Sequence, residues 1–178
     1  MSHYGENFRL LDASWKAKMQ NLVTVPITDQ YNPAVRGITL RETAVRFLPT
    51  TSLVFEDPRA AGQGYPFDML QSSALHPAES VYIVAVTVDK SWSFIISLTK
   101  MKWVDSSHIA KVNEHFIQQW IVMVKKKLAV VINDNASFVD EKGIFRFTER
   151  TGTLLLLKSV NGKAKLYCQH QVKMVMPL

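Results

Sequence analysis

The chain has 178 residues, of which 47% are hydrophobic and 20% are charged. This length suits one ordinary domain or two small ones and excludes a large two-domain enzyme. The balance of residue types excludes a collagen-like, low-complexity or wholly disordered chain. The single cysteine, Cys168, excludes an internal disulfide framework and leaves too few thiols for a structural zinc knuckle.

Neither a membrane span nor a signal peptide is expected. No apolar run approaches the roughly 20 residues that a membrane-spanning helix needs. The first 30 residues also lack the continuous apolar core and the small-residue cleavage site of a signal peptide. This absence does not by itself assign the chain to a compartment.

The net charge of +6 is concentrated in the last third of the sequence. Residues 114–178 hold 10 basic and 5 acidic side chains, whereas residues 38–113 hold 7 of each. A field of this sign favours an acidic partner, although a solvated basic face is the simpler interpretation. Residues 121–178 contain only four aromatic residues, mostly at core-like strand positions, and we therefore expect no nucleic-acid partner.

The first 37 residues contain one short periodic segment. Leu11, Trp15, Met19 and Leu22 recur at helical spacing, which predicts a helix from about Leu10 to Leu22. The sequence VPITDQYNP follows, and its prolines favour an extended, turn-rich backbone. We expect residues 1–37 to form an arm that packs on the rest of the chain.

From Ile38 onward the pattern changes to short strands. ITLRET and VRFLP come first, followed by a long irregular segment from Ser52 to Leu75. The next three predicted strands are VYIVAVTVD, SWSFIISL and MKWV, with a tight hairpin turn at DKS between the first two. Because the first of these three strands is apolar on both faces, we expect it to be central and covered on both sides.

One segment breaks the strand pattern. DSSHIAKVNEHFIQQW has apolar residues at helical spacing and predicts a short helix with Asp105 or Ser106 as its N-cap. After it, WIVMV, KLAVVIND, FRFTER, GTLLLLKSV and KAKLYCQHQVKMV are predicted to be strands separated by turns. The predicted fold class is mainly β: two small, partly open β-barrels joined by a short helix and preceded by the arm. The domain ranges are 1–37, 38–113 and 114–178.

The sequence shows no catalytic constellation and no cofactor or metal site. Cys168 and His170 are two residues apart on a predicted strand, a spacing that is awkward for a direct thiol–imidazole hydrogen bond. His108, Glu114 and His115 have no second cluster that would complete a metal site. GQG at 62–64 lacks the lysine and the helix of a phosphate-binding loop. Cys168 is therefore interpreted as a structural thiol.

The remaining candidate chemistry is a recognition surface. Tyr65 and Asp68 lie in the loop GQGYPFDMLQ, and Trp92 follows the predicted hairpin turn. Aromatic faces beside a carboxylate suit an extended peptide or sugar ligand. We therefore predict Tyr65, Asp68 and Trp92 as ligand-binding residues, with burial in a barrel core as the alternative.

Several of these segments together resemble a known family. They are RFLPT at 46–50, GQGYPFDMLQSSALHPAESVYI at 62–83, DKSWSFI at 89–95, and KWV with HIAKV within 102–112. They are similar to the first bacterial SH3-like domain of multidomain NlpC-type cell-wall cysteine peptidases. Lys90 and Lys102 depart from the pattern, because glycine is usual at both positions.

The resemblance extends to the rest of the chain. FRFTERTGTLLLL at 145–157 resembles the second SH3-like domain of the same proteins, with Leu156 in place of a proline. The N-terminal arm resembles the stabilising clip that wraps these barrels.

The resemblance implies a function for the whole protein. Such proteins are γ-D-glutamyl-L-diamino acid endopeptidases that act on peptidoglycan stem peptides in the cell envelope. Their catalytic domain opens with an Arg-Asp-Cys-Ser motif, which this sequence lacks, and Cys168 does not match it. The chain then corresponds to the non-catalytic front of such an enzyme, in which Tyr65, Asp68 and Trp92 would help to bind a stem peptide with a free N-terminal L-alanine.

An alternative from another class stays open at this point. A stand-alone SH3-like scaffold would bind a protein or an acidic polymer through the basic second barrel.

Overall fold

The computed structural model describes residues 3–27, 30–125, 128–140, 142–160 and 163–166. Within these residues it contains twelve short strands and two α-helices. The predicted fold class, mainly β with SH3-like β domains, is confirmed. In chain order the elements are α1 (Ala13–Val23), β1 (Arg36–Thr39), β2 (Thr43–Arg46), β3 (Gln71–Leu75), β4 (Ser80–Val86), β5 (Trp92–Ile96), β6 (Met101–Asp105), β7 (Ile109–Lys111), α2 (Glu114–Val124), β8 (Leu128–Val130), β9 (Ala136–Val139), β10 (Phe145–Glu149), β11 (Leu154–Val160) and β12 (Lys163–Leu166).

The chain packs as two compact units, and each is made of separate segments. The first unit comprises Met1–Tyr31, Thr43–Leu75 and Val81–His108. The second comprises Asn32–Glu42, His76–Ser80 and Ile109–Leu178. The domain boundaries expected from the sequence, after residues 37 and 113, stay predictions.

The first unit is built on an antiparallel sheet in the order β3-β2-β6-β5-β4. Strand β4 alternates as the pleat requires: Val81, Ile83 and Ala85 are buried, whereas the residues between them are half-buried. The expectation that both faces are covered therefore holds fully for only one face. Tyr31 stacks on Tyr82 over the other face, with their ring centroids 5.6 Å apart.

Helix α1 begins close to the predicted position. Asp12 is its N-cap and accepts a hydrogen bond from the Trp15 N–H at 2.9 Å, which satisfies one of the free donors of the first turn. The segment before the helix joins the first unit through Tyr4, whose N–H donates to the Phe55 carbonyl at 2.9 Å and whose carbonyl accepts from the Phe55 N–H at 2.8 Å. The N-terminal residues therefore pack on the first unit by backbone pairing.

The predicted hairpin turn between β4 and β5 is present and contains an unusual lysine. Lys90 has a φ of 63°, in the left-handed region where the resemblance leads us to expect a glycine. Asp89 stabilises the turn by accepting from the Thr87 hydroxyl at 2.6 Å and from the Ser91 N–H at 3.0 Å. These hydrogen bonds also hold the pKa of Asp89 below its ordinary value.

Replacing Lys90 should stabilise the first unit. We expect Lys90→Gly to raise the free energy of unfolding by about 0.5–1 kcal/mol, because the cost of roughly 1–2 kcal/mol for a left-handed non-glycine residue exceeds the extra backbone freedom of glycine. Chemical denaturation measures the change. Lys90→Ala is the matched control, since it removes the charge and keeps the Cβ. An alanine variant as stable as the glycine variant would contradict the backbone explanation.

In the second unit, strand β1 pairs antiparallel with β7, and Ile38 lies opposite Ala110. A small apolar cluster forms beside this pair from Ile38, Val112 and Phe116. The remaining strands form a β9–β10 pair and a three-stranded sheet in the order β12-β11-β8.

Helix α2 corrects two sequence predictions. Asn113, rather than Asp105 or Ser106, is the N-cap and accepts from the Phe116 N–H at 2.9 Å. The residues before it form a 3-10 turn at Ser106–His108 and then β7. The predicted strand WIVMV was also wrong, because residues 120–124 form the last turns of α2. All five of these residues are apolar, and such a run fits a helix as well as a strand.

Besides β7, two strands were not predicted from the sequence, β3 and β9. Strand β3 lies within the segment that was expected to be irregular, and its burial is confined to Leu75 at its end. Strand β9 follows directly on a turn and carries one buried residue, Phe138. Neither strand has the alternation that marks a half-buried strand in a sequence. Cys168 and His170 lie outside the described residues.

The second unit contains a buried carboxyl group. Glu149 at the end of β10 is almost inaccessible, at 1% exposure. Its Oε2 accepts from the Thr153 hydroxyl at 2.9 Å and lies 3.4 Å from His76 Nδ1. Its Oε1 has no hydrogen-bond partner among the described residues. Burial raises the pKa of Glu149 above its ordinary value, and the nearby Glu42 adds to the effect, while Thr153 and His76 oppose it.

The contribution of Glu149 to the stability of the second unit should therefore be larger at mildly acidic pH than at alkaline pH. A carboxyl whose folded pKa is raised contributes its stability below the unfolded pKa and loses it as the pH rises through the folded pKa. We expect Glu149→Gln to raise the thermal midpoint at pH 8 by about 2–4 °C, the shift that 1 kcal/mol produces in a chain of this size.

The gain from Glu149→Gln should shrink as the pH falls towards 4.5, because the wild-type carboxyl then becomes neutral as well. Glu42→Gln is the control. Because the Glu42 side chain is 39% exposed, the thermal midpoint of this variant should differ little from that of the wild-type chain. A gain that does not vary with pH would contradict the assignment of the effect to ionisation of Glu149. Calorimetry between pH 4.5 and 8 provides the comparison.

Candidate functional site

The candidate site is the long loop of residues 47–70 between β2 and β3 in the first unit. The Tyr65–Pro66 peptide bond in this loop is cis. Gly64 allows two parts of the loop to approach each other: a Cβ there would lie only 3.0 Å from the carbonyl oxygen of Pro58. The loop thus has a compact fold of its own.

A buried ion pair fixes the loop to the sheet. Asp68 Oδ2 lies 2.8 Å from Nη1 of Arg46, the last residue of β2, and both side chains are about 6% exposed. The same guanidinium donates to the carbonyl oxygen of Ser52 at 2.9 Å and to Gln71 Oε1 at 3.2 Å. Arg46 therefore binds both ends of the loop and the strand that follows it.

The other carboxylate oxygen of Asp68 holds the loop backbone. Asp68 Oδ1 accepts from the Val54 N–H at 3.1 Å and from the Leu70 N–H at 3.0 Å. Two backbone hydrogen bonds continue the arrangement, from the Met69 N–H to the Val54 carbonyl and from the Phe47 N–H to the Leu70 carbonyl, both at 2.9 Å. We call Asp68, Arg46 and the two amide groups that Asp68 binds, those of Val54 and Leu70, the Asp68 clamp.

The clamp leaves aromatic side chains on the outside of the loop. Tyr65 is 74% exposed and Phe67 is 57% exposed. At the start of the loop, Phe47 is 53% exposed and Lys102 Nζ lies 4.0 Å from the centre of its ring, within the range of a cation–π contact. Exposed aromatic residues on a fixed backbone form an adaptable contact surface for a ligand.

The three residues predicted from the sequence take different positions. Tyr65 is exposed, as a contact residue must be. Asp68 is occupied by the clamp, and Trp92 is 8% exposed at the start of β5. Their joint assignment as ligand-binding residues stays a prediction. Within the described part of the chain, no hydrogen bond, ion pair or ring contact joins any two of the three.

Two residues of the site were not predicted from the sequence: Arg46, which holds the loop, and Phe47, which is exposed at its start. Arg46 directly follows the apolar strand residues of β2 and looks like a solvent-facing end of that strand. A buried arginine nearly always needs a carboxylate partner, so the combination of Arg46 and Asp68 was the available signal. The signal is not local, because 21 residues separate Arg46 from Asp68. Phe47 lies in the predicted strand VRFLP, and nothing in that pattern marks it as exposed.

Breaking the clamp should destabilise the first unit strongly. We expect Asp68→Asn to lower the free energy of unfolding by about 3–5 kcal/mol, because the Arg46 charge stays buried without a counter-charge. Urea denaturation measures the loss. Asp57→Asn is the matched control, because Asp57 also pairs with an arginine of the same loop, Arg59, but in an exposed position.

The control substitution should have no measurable effect on stability. If Asp68→Asn were as harmless as Asp57→Asn, the Arg46–Asp68 pair would not be a buried contact in solution.

The described residues contain no group of three or more His, Cys, Asp or Glu side chains that could hold a metal ion. Within the same residues, neither helix is long and apolar enough to cross a membrane.

Comparisons with known proteins agree with this fold. Residues 54–105 match the family described as SH3 domain, SH3b1 type, and form a bacterial SH3 domain. The match includes most of the loop and continues to the end of β6. None of the curated proteins matches the chain.

A solved structure is similar over almost the whole chain. It is an NlpC/P60 endopeptidase from Photobacterium damselae subsp. piscicida, with 26% sequence identity and a TM-score of 0.71. The alignment covers 99% of this chain and 41% of that one, so this chain spans about two fifths of the endopeptidase.

Proposed function

We propose that this chain is a non-catalytic recognition module that binds peptidoglycan stem peptides and acts with an NlpC-type peptidase domain. The observation that carries the proposal is a bacterial SH3 domain at residues 54–105 whose clamped loop exposes Tyr65. Such a module belongs in the cell envelope, where its ligand lies. The similarity to an NlpC/P60 endopeptidase supports the same setting.

The proposal gives Tyr65 the contact role. Its ring offers an apolar face for the aliphatic parts of a stem peptide, and its hydroxyl donates to a carboxylate or accepts from an ammonium group. Asp68 then acts indirectly, because it holds the loop. Trp92 also acts indirectly, as a buried residue at the start of β5. We thus retain all three predicted residues, but with different roles.

The proposal also includes the predicted domain organisation. Residues 1–37 would be the clip, residues 38–113 the first SH3-like domain and residues 114–178 the second. The alignment with the endopeptidase over 99% of the chain supports this organisation.

Binding of a small stem peptide tests the contact role. We expect the tripeptide L-Ala-γ-D-Glu-diaminopimelate to produce weak but saturable shifts in the amide NMR spectrum of the loop. Tyr65→Ala should weaken binding about 5- to 10-fold, which is the size of a contact worth 1–1.4 kcal/mol. The substitution is on the surface, so the fold should be retained.

Tyr31→Ala is the control for the loss of an exposed tyrosine, because Tyr31 is 68% exposed and lies outside the loop. It should bind the tripeptide like the wild-type chain. Equal losses in both variants, or no saturable shift in the loop, would contradict the proposed contact.

The module should also be inactive alone. We expect the 178-residue chain to release no L-Ala-D-Glu from the same tripeptide in an overnight incubation followed by mass spectrometry. The physical reason is the missing Arg-Asp-Cys-Ser motif, without which the activated thiolate of a cysteine peptidase is absent. Any turnover by the wild-type chain would contradict the non-catalytic assignment, and a Cys168→Ala variant would then show whether that thiol is the catalytic group.

A further inference from the structure

A concave surface of the first unit is lined by residues other than the exposed Tyr65 of the loop. It is a groove of about 460 Å³ between the N-terminal segment and the base of the loop. One wall consists of His3, Leu11, Trp15 and Lys16, and the other includes Phe47 and Met69. Its volume falls within the range of roughly 300–1,000 Å³ that is usual for ligand sites.

Both walls of the groove are held by hydrogen bonds. The Leu11 N–H donates to the His3 carbonyl at 2.8 Å, and the Leu53 N–H donates to Glu6 Oε1 at 2.9 Å. On the other side, Phe47 and Met69 are fixed by the backbone hydrogen bonds that accompany the Asp68 clamp. A groove that is formed in advance binds a ligand with little loss of conformational entropy.

The chemistry of the lining is apolar and basic. His3 and Lys16 are the two titratable residues that line the groove, and no carboxylate lines it among the described residues. Within the part of the chain that the structure describes, neither His3 nor Lys16 forms an ion pair with a carboxylate. Two bases beside a low-dielectric apolar surface attract a single anionic group.

We propose that this groove binds the C-terminal residue of a peptide that ends in an apolar side chain. The side chain would pack between Trp15, Phe47 and Met69, and the terminal carboxylate would pair with Lys16 and hydrogen-bond to His3. Few polar groups line the groove, so a phosphate would find too few donors there.

The openness of the groove favours a peptide over a fatty acid. Lys16 is exposed and Phe47 is half-exposed, so the groove is open to solvent. A peptide can continue from such a site into water, whereas a fatty acid gains most from complete enclosure of its alkyl chain. The site is independent of the proposed stem-peptide contact at Tyr65, and the two are tested with different ligands and variants.

An NMR titration of the isotope-labelled 178-residue chain with N-acetyl-Leu-Phe tests the proposal. We expect saturable shifts of the Trp15 indole N–H and of the Phe47 and Met69 amides. The C-terminal amide of the same dipeptide, which lacks the negative charge, should bind about fivefold more weakly. Lys16→Gln should cause a loss of the same size for the acid and none for the amide.

Lys18→Gln is the matched control. Lys18 lies on the same helix but lines a different surface depression together with Val88 and Asp89. It should bind the acid with the affinity of the wild-type chain. Equal binding of acid and amide, or an unchanged affinity in Lys16→Gln, would overturn the proposal. The lack of saturable shifts at millimolar peptide would overturn it too. Decanoate tests the fatty-acid alternative, and binding of decanoate without binding of the peptide would also overturn the proposal.

Discussion

The first unit depends on one carboxylate that lies inside a loop. Asp68 balances the buried charge of Arg46 and accepts two loop amides, from Val54 and Leu70. A loop of more than 20 residues without regular structure has many backbone groups to satisfy and a large entropy to lose. The buried carboxylate of Asp68 contributes to both, since it accepts two backbone hydrogen bonds and also holds the loop to β2.

This arrangement separates the residues that hold the loop from those that face solvent. Charged groups of the clamp are turned inward, where the low dielectric makes the ion pair strong and its loss costly. The aromatic side chains of Tyr65 and Phe67 are turned outward, where they cost little and remain available for contacts. The peptide-binding function that we propose uses this separation, because a ligand meets a preformed surface instead of a mobile loop. The groove beside α1 uses the same fixed loop, because Phe47 and Met69 at the base of the loop form one of its walls.

Much of the fold could be predicted from the sequence, and the reasons for the failures are specific. Strands β4, β5 and β6 are short, largely apolar runs bounded by turn residues, and their observed positions match the prediction. Residues 120–124 are apolar at every position, so periodicity could not distinguish a helix from a strand there. The strands β3 and β9 bury one residue each and depend on pairing with distant strands, which a local pattern does not contain.

The candidate site was predicted only in part, for a related reason. The loop and its exposed Tyr65 follow from glycine, proline and aromatic residues that are adjacent in the sequence. The inward position of Asp68 depends on Arg46, and nothing local to Asp68 distinguishes a ligand-binding carboxylate from one that pairs with a distant arginine. Lys90 shows the opposite case, because the family pattern indicated a glycine-like turn and the backbone there is indeed left-handed.

Hydrogen exchange of two amides measures the central interaction directly. If Asp68 holds the loop from inside, the Val54 and Leu70 N–H groups should exchange as slowly as the amides of β5, opening only when the first unit unfolds. Exchange of these two amides at the rate of exposed loop residues would contradict the account.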